Sequence, residues 1–199
     1  MIKYVDLGAK NAGALAAAIK RGPSRGLPRA KPEECMAVER VAAYRRPVEK
    51  RGFQFVSADV QMGFSWERAD VYLAWNFLEH LNSIEAAQKV LTKMFAFSRQ
   101  CVWLLLPSFE EAALKRLAKF GYTFKWVDWK CHRAHVQLKH VDEVAKHFQT
   151  RIEAKKVIKR WAVRNCANLK PLKGRKQIPA DLEPPLPGAL EVMYYLKES

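Results

Sequence analysis

Acidic residues are scarce in this chain: 20 Asp and Glu stand against 35 Lys and Arg among 199 residues, a formal net charge of +15. Such an excess points to a polyanionic partner, nucleic acid first. The deficit is local as well as global. From Arg151 to Ala180 the only acid is Glu153, and from Lys20 to Lys31 there is none. Long apolar runs are also missing, with nothing near the roughly 18 residues of a membrane-spanning helix. The opening run Ile2-Lys3-Tyr4-Val5 meets Asp6 at once, which is no signal-peptide pattern. No membrane partner and a cytoplasmic location are therefore expected. Cys35, Cys101, Cys131 and Cys166 lie far apart, with neither a disulfide framework nor a paired metal-binding spacing among them.

What is present is an alternation of strand and helix signals. Ile2-Lys3-Tyr4-Val5-Asp6 passes through Gly8 and Gly13 into the helix-forming Ala14–Ile19, which Arg21-Gly22-Pro23 stops. A basic loop over Gly22–Pro32 leads to a second strand, Cys35–Glu39, and then to a helix over Val41–Lys50. A third strand at Phe53–Val56 and a fourth at Ala69–Asn76 precede a helix over Ser83–Phe97, for which Ser83 is the N-cap. The continuous apolar run Cys101–Leu106 fits a strand buried on both faces of a parallel sheet, and Glu110–Phe120 reads as the next helix. Parallel neighbours need crossover helices, so the pattern predicts an α/β fold with a doubly wound, mostly parallel sheet. Tyr122–Trp129 and Ala134–Lys139 read as an antiparallel hairpin, Val141–Arg164 as a basic amphipathic helix, and Leu190–Leu196 as a closing strand. The expected organisation is a nucleotide-binding-like domain over residues 1–140, with residues 141–199 packed on it.

Asp6, Glu39 and Asp59 end three successive strands, and this topology puts all three carboxyl ends on one sheet edge. A carboxylate after the second strand suits the two adjacent hydroxyls of a ribose. Here the chain resembles the class I, Rossmann-like S-adenosylmethionine-dependent methyltransferases. Val5-Asp6-Leu7-Gly8 is similar to their glycine-rich motif, Val38-Glu39 to their ribose-binding acid, and Ser57-Ala58-Asp59 to the acid beside the adenine. Ala74-Trp75-Asn76-Phe77-Leu78-Glu79-His80-Leu81 resembles their segment after the fourth strand. The resemblance covers roughly Met1–Lys139 and implies S-adenosylmethionine as cofactor, held by Asp6, Gly8, Asn11, Gly13, Glu39 and Asp59. Trp75, at a strand end, is expected against a planar ring. Two and four residues after the first glycine, where family members carry further glycines, this chain has Lys10 and Ala12.

For catalysis the sequence offers Asn76, expected to face the methyl acceptor, with Glu79 and His80 as a pair able to remove a proton. Trp75-Asn76-Phe77 also resembles part of the Asn-Asn-Phe segment of Dot1-like lysine methyltransferases. His132, His135, His140 and His147 cluster beside Cys131, yet no known ligand spacing appears, and no metal is expected. Lys155, Lys156, Lys159, Arg160, Arg164, Lys173, Arg175 and Lys176 form the candidate nucleic-acid surface, the first of them gathered on one helix face. Together these readings predict methyl transfer from S-adenosylmethionine to a nucleic acid, RNA preferred. The alternatives are a Dot1-like protein lysine methyltransferase and a non-catalytic nucleic-acid-binding protein on a degenerate methyltransferase fold.

Overall fold

Four largely buried strands form the centre of the molecule: β1 (Tyr4–Leu7), β2 (Cys35–Val38), β4 (Ala69–Trp75) and β5 (Ser98–Pro107). With β3 (Gln54–Val56) they pair in parallel, in the order β3-β2-β1-β4-β5. The computed structural model describes residues 1–161, 169–171 and 187–197. Among these, no helix is long and apolar enough to cross a membrane.

Side-chain alternation along the strands divides the core in two. Val5, Leu7, Tyr72, Ala74, Val102 and Leu104 face α3 (Ile84–Phe97) and α5 (Leu138–Ala145). Tyr4, Val71, Leu73, Cys101 and Trp103 face the other way, with Leu15 and Ala18 of α1 (Gly13–Arg21) and Val48 of α2 (Arg45–Glu49). The Ser83 hydroxyl accepts the Ala86 N–H at 3.2 Å, so α3 starts where its cap predicts. A third, smaller apolar cluster joins α4 (Glu111–Lys119) to β6 (Tyr122–Phe124), Trp126 and Leu169.

The C-terminal part departs from the sequence reading. The segment expected as one basic helix from Val141 to Arg164 is helical only through α5 and a short 3-10 turn, Lys146–Phe148. From Ile152 to Trp161 it is a strand, β7. The closing strand β9 (Pro187–Leu196) runs antiparallel between β5 and β7, completing the seven-stranded sheet with β7 at its edge. The helix expectation failed because β7 covers little on either face. Glu153 to Val157 are all exposed, so no period-two apolar pattern marks the strand.

The antiparallel reversal is thus β7 with β9, not the hairpin expected at Tyr122–Lys139. Of that hairpin only β6 is a strand, and its partner is β8 (Leu169–Pro171) in a separate two-stranded sheet. Residues 134–137 form no strand; the Ala134 N–H donates to the Glu79 carbonyl at 3.1 Å and ties this loop to the 3-10 turn Leu78–His80 that follows β4.

Candidate functional site

A cavity of about 280 Å³ opens at the carboxyl ends of β1, β2, β3 and β4. This is the edge at which open α/β sheets hold ligands, because the loops leave the strands there and diverge. Its floor is the turn after β1. Gly8 has φ +69°, and a Cβ there would overlap the Phe77 ring, so both conformation and space demand glycine. Lys10 and Ala12 keep the same left-handed conformation, with φ 46° and 58°. The turn therefore retains a glycine-type backbone path although two of its residues carry side chains.

Glu39 stands just past β2, buried at the cavity wall. Its Oε2 accepts the Lys10 N–H at 3.1 Å and its Oε1 the Val41 N–H at 3.0 Å. Each oxygen keeps a lone pair for a further donor. The Asp59 Oδ1 accepts the Gln61 N–H at 2.9 Å, shaping the loop after β3. Val38, Val41, Tyr44, Ala58 and Val60 give this end of the cavity an apolar lining. Asn76, the residue after β4, lies at the opposite side with φ 50° and is exposed. Lys10, Arg40 and Arg133 line the cavity and are exposed, so its approaches are cationic.

The structure brings together Gly8, Glu39, Asp59, Asn76 and His80 of the residues singled out in the sequence. Asp6 is not with them. Strand alternation points it to the α1 side, where it accepts a hydrogen bond from the Leu15 N–H in the first turn of that helix, and burial pushes its carboxyl up to about 8. Asn11 caps the turn instead of facing the cavity, its Oδ1 accepting the Gly13 N–H at 3.1 Å. Trp75 shares the face of Val71 and Leu73, so it points away from the cavity and into the α1 layer. There it meets Trp103 edge to face at 5.1 Å, with the Arg21 guanidinium 4.5 Å above its ring. It lines a separate, smaller cavity with Arg21, Leu105, Ala189 and Glu191.

Glu79 and His80 are adjacent but unequal. His80 lines the cavity, whereas Glu79 is 1% exposed with both carboxylate oxygens lacking a partner. Burial raises the Glu79 carboxyl to about 7 and lowers the His80 imidazole. The His80 Nε2 lies 3.9 Å from the Glu79 Oε1.

Of the basic residues, Lys155, Lys156, Lys159 and Arg160 belong to the edge strand β7, not to a helix face. Successive strand residues point to opposite sides, so Lys155 and Lys156 do not form one surface. Lys155 is bound to Asp142, with Nζ 2.6 and 2.7 Å from the two oxygens. Arg164, Lys173, Arg175 and Lys176 lie outside the described residues. Lys10, which the sequence places in the turn after β1, is one of the cations lining the cavity; Arg40 and Arg133 were not singled out, although Arg40 immediately follows Glu39. Arg133 comes from a distant loop and gave no such signal.

No protein-family model and no curated protein matches the sequence. Among solved structures, the chain is similar to an O-methyltransferase family protein from Burkholderia thailandensis, with TM-score 0.60 and 12% identity, covering 100% of this chain and 51% of that one. It is also similar to a possible histamine N-methyltransferase from Thermotoga maritima, with TM-score 0.58, 14% identity and coverage of 98% and 82%. A third is magnesium protoporphyrin IX methyltransferase from Synechocystis with bound S-adenosylhomocysteine, at TM-score 0.55, 10% identity and coverage of 99% and 74%. The chain spans about half the length of the first of these. The fold is that of the class I, Rossmann-like S-adenosylmethionine-dependent methyltransferases.

Proposed function

We propose that this chain binds S-adenosylmethionine in the strand-end cavity and transfers its methyl group to a nucleic acid, RNA in preference. The observation that carries the cofactor is the convergence of Gly8, Glu39, Asp59 and Asn76 on one cavity in a methyltransferase fold. The residues fit the group. Gly8 lines the cavity with backbone alone, Glu39 has a free lone pair on each oxygen for a ribose hydroxyl, and Val38, Val41 and Ala58 offer apolar walls to an adenine. When bound, the cofactor supplies an electrophilic methyl group. The chain's part is to hold the acceptor in line with it, an arrangement worth several kcal/mol by proximity alone, about 7 or more in favourable cases. Asn76, exposed at the opposite side of the cavity, is the residue we assign to orienting that acceptor.

Nucleic acid is favoured by charge. Lys10, Arg40 and Arg133 surround the cavity in a protein of net charge +15. Phosphate contacts release counterions, so RNA affinity should fall steeply with salt. The test is labelled-methyl transfer from S-adenosylmethionine to total RNA, DNA and protein by the wild type and by Glu39→Gln. Label in RNA, reduced at least tenfold by the substitution, supports the reading. Label in protein with none in RNA overturns the acceptor, and label in none of the three overturns the activity.

A further inference from the structure

The loop 130–134 closes against the end of β4 and brings together residues some fifty positions apart in sequence. One ligating atom each from His80, Cys131 and His132 lies within 4.8 Å of the others, the only such His/Cys/Asp/Glu group among the described residues. We propose that these three side chains form a binding site for a zinc-class divalent ion in the wall of the cavity. This site does not depend on methyl transfer.

Several independent features favour an ion over a chance cluster. The His80 Nδ1 is 3.1 Å from the Cys131 carbonyl, which selects the tautomer that leaves Nε2 as the free nitrogen. The His132 Nδ1 is buried without a hydrogen-bond partner, which leaves that nitrogen available to a ligand. Histidines that ligate metals characteristically donate their second nitrogen to a carbonyl or carboxylate, as His80 does. The two rings meet edge to face with centroids 4.8 Å apart, and His132 is only 7% exposed. Beside them lies the Glu79 carboxylate, 1% exposed with neither oxygen satisfied, its Oε1 3.9 Å from the free nitrogen of His80. Buried unpaired polar atoms cost about 1–3 kcal/mol each; an ion here would engage the His132 Nδ1 and place a positive charge near the Glu79 carboxylate, which is not itself in the ligating group.

Chemistry narrows the ion. Two imidazoles and a thiolate suit Zn²⁺ and its neighbours, not Mg²⁺ or Ca²⁺, which prefer oxygen. A Cys131 thiolate bound to the ion, with the Glu79 carboxylate beside it, would offset a divalent charge against the cations Lys10 and Arg40 that also face His80. Ideal tetrahedral bonds of about 2.0–2.3 Å set ligand atoms roughly 3.3–3.7 Å apart, so a group within 4.8 Å need contract by at most about 1.5 Å. Three protein ligands leave a fourth position, and His80 and Cys131 already line the cavity, so that position faces it.

The test uses the full chain, stripped with a chelator and titrated with Zn²⁺ and with Co²⁺ in the absence of S-adenosylmethionine. One ion per chain is expected, and the cobalt form should show a thiolate-to-metal charge-transfer band with intense tetrahedral visible bands. Cys131→Ser, at an exposed position that should not disturb folding, is expected to abolish the charge-transfer band and weaken Zn²⁺ binding at least tenfold. His132→Gln is expected to weaken it similarly, whereas His135→Ala, whose ring stacks on Phe109 outside the group, should bind as wild type. Absence of stoichiometric binding, a charge-transfer band that survives Cys131→Ser, or loss of binding in His135→Ala with retention in His132→Gln would each overturn the site. Loss of methyl transfer alone would not bear on it.

Discussion

Two residues carry the sharpest consequences at the smallest scale. Asp6 has one carboxylate oxygen buried without a partner, and its folded pKa of about 8 stands well above the ordinary 3.8 because burial disfavours the charge. The folded state therefore holds a proton that the unfolded state gives up. The resulting stability is fully present below about pH 4 and is lost as pH rises toward 8. Asp6→Asn, which cannot ionise, is expected to be more stable than wild type at pH 8 and to flatten this decline, as urea unfolding at pH 5 and pH 8 will reveal. A decline unchanged in the variant would refute the assignment. Lys10 holds a left-handed conformation with its side chain exposed, a placement that costs a non-glycine residue about 1–2 kcal/mol. Lys10→Gly relieves that strain but gains unfolded-chain entropy of about 0.4–1 kcal/mol, so a net stabilisation of up to about 1 kcal/mol is expected in thermal unfolding. A clear loss of stability would mean that the lysine side chain contributes contacts that the strain argument omits.

At the scale of elements, the same basic residues that read as a nucleic-acid helix acquire a different explanation. β7 is an edge strand, and Lys156 and Lys159 are exposed along it. Charged residues on an edge discourage pairing with another chain. Lys156→Val combined with Lys159→Val is expected to drive concentration-dependent self-association in sedimentation velocity; a variant that stays at the wild-type sedimentation coefficient would remove this role. The contrast between the two halves of the chain explains what was legible. Residues of β1, β4 and β5 are buried on both faces, Val71–Trp75 and Cys101–Leu106 read as continuous apolar runs, and Ser83 announced its helix through its own side chain. β7 buries little, so its residues carry no apolar period, and β8 pairs with β6 across some fifty residues without a local signal. Trp75 was misplaced for a related reason: proximity to a strand end says nothing about which face a side chain takes until register is known, and alternation with Val71 and Leu73 sends it to the α1 layer. The group proposed to hold an ion was half legible: Cys131 and His132 stand together in the sequence without a ligand spacing, and His80 meets them only through the fold.

For the whole molecule, the central claim is that the cavity beyond β1, β2, β3 and β4 holds S-adenosylmethionine. Glu39, Asp59 and the Gly8 turn were readable as strand-end features, and the sheet assembles them without any of the three being near another in sequence. The turn itself keeps a glycine-like path at Lys10 and Ala12, so the departure from the family's glycines lies in side chains and not in backbone course. Charge acts at this scale too, since a net +15 favours polyanions near a cavity flanked by Arg40 and Arg133. The most direct measurement is isothermal titration of the full chain with S-adenosylmethionine, alongside Glu39→Gln. We predict one site per chain for the wild type, with affinity reduced at least tenfold in the variant. No heat and no thermal shift in the wild type, or identical binding by wild type and Glu39→Gln, would contradict the account.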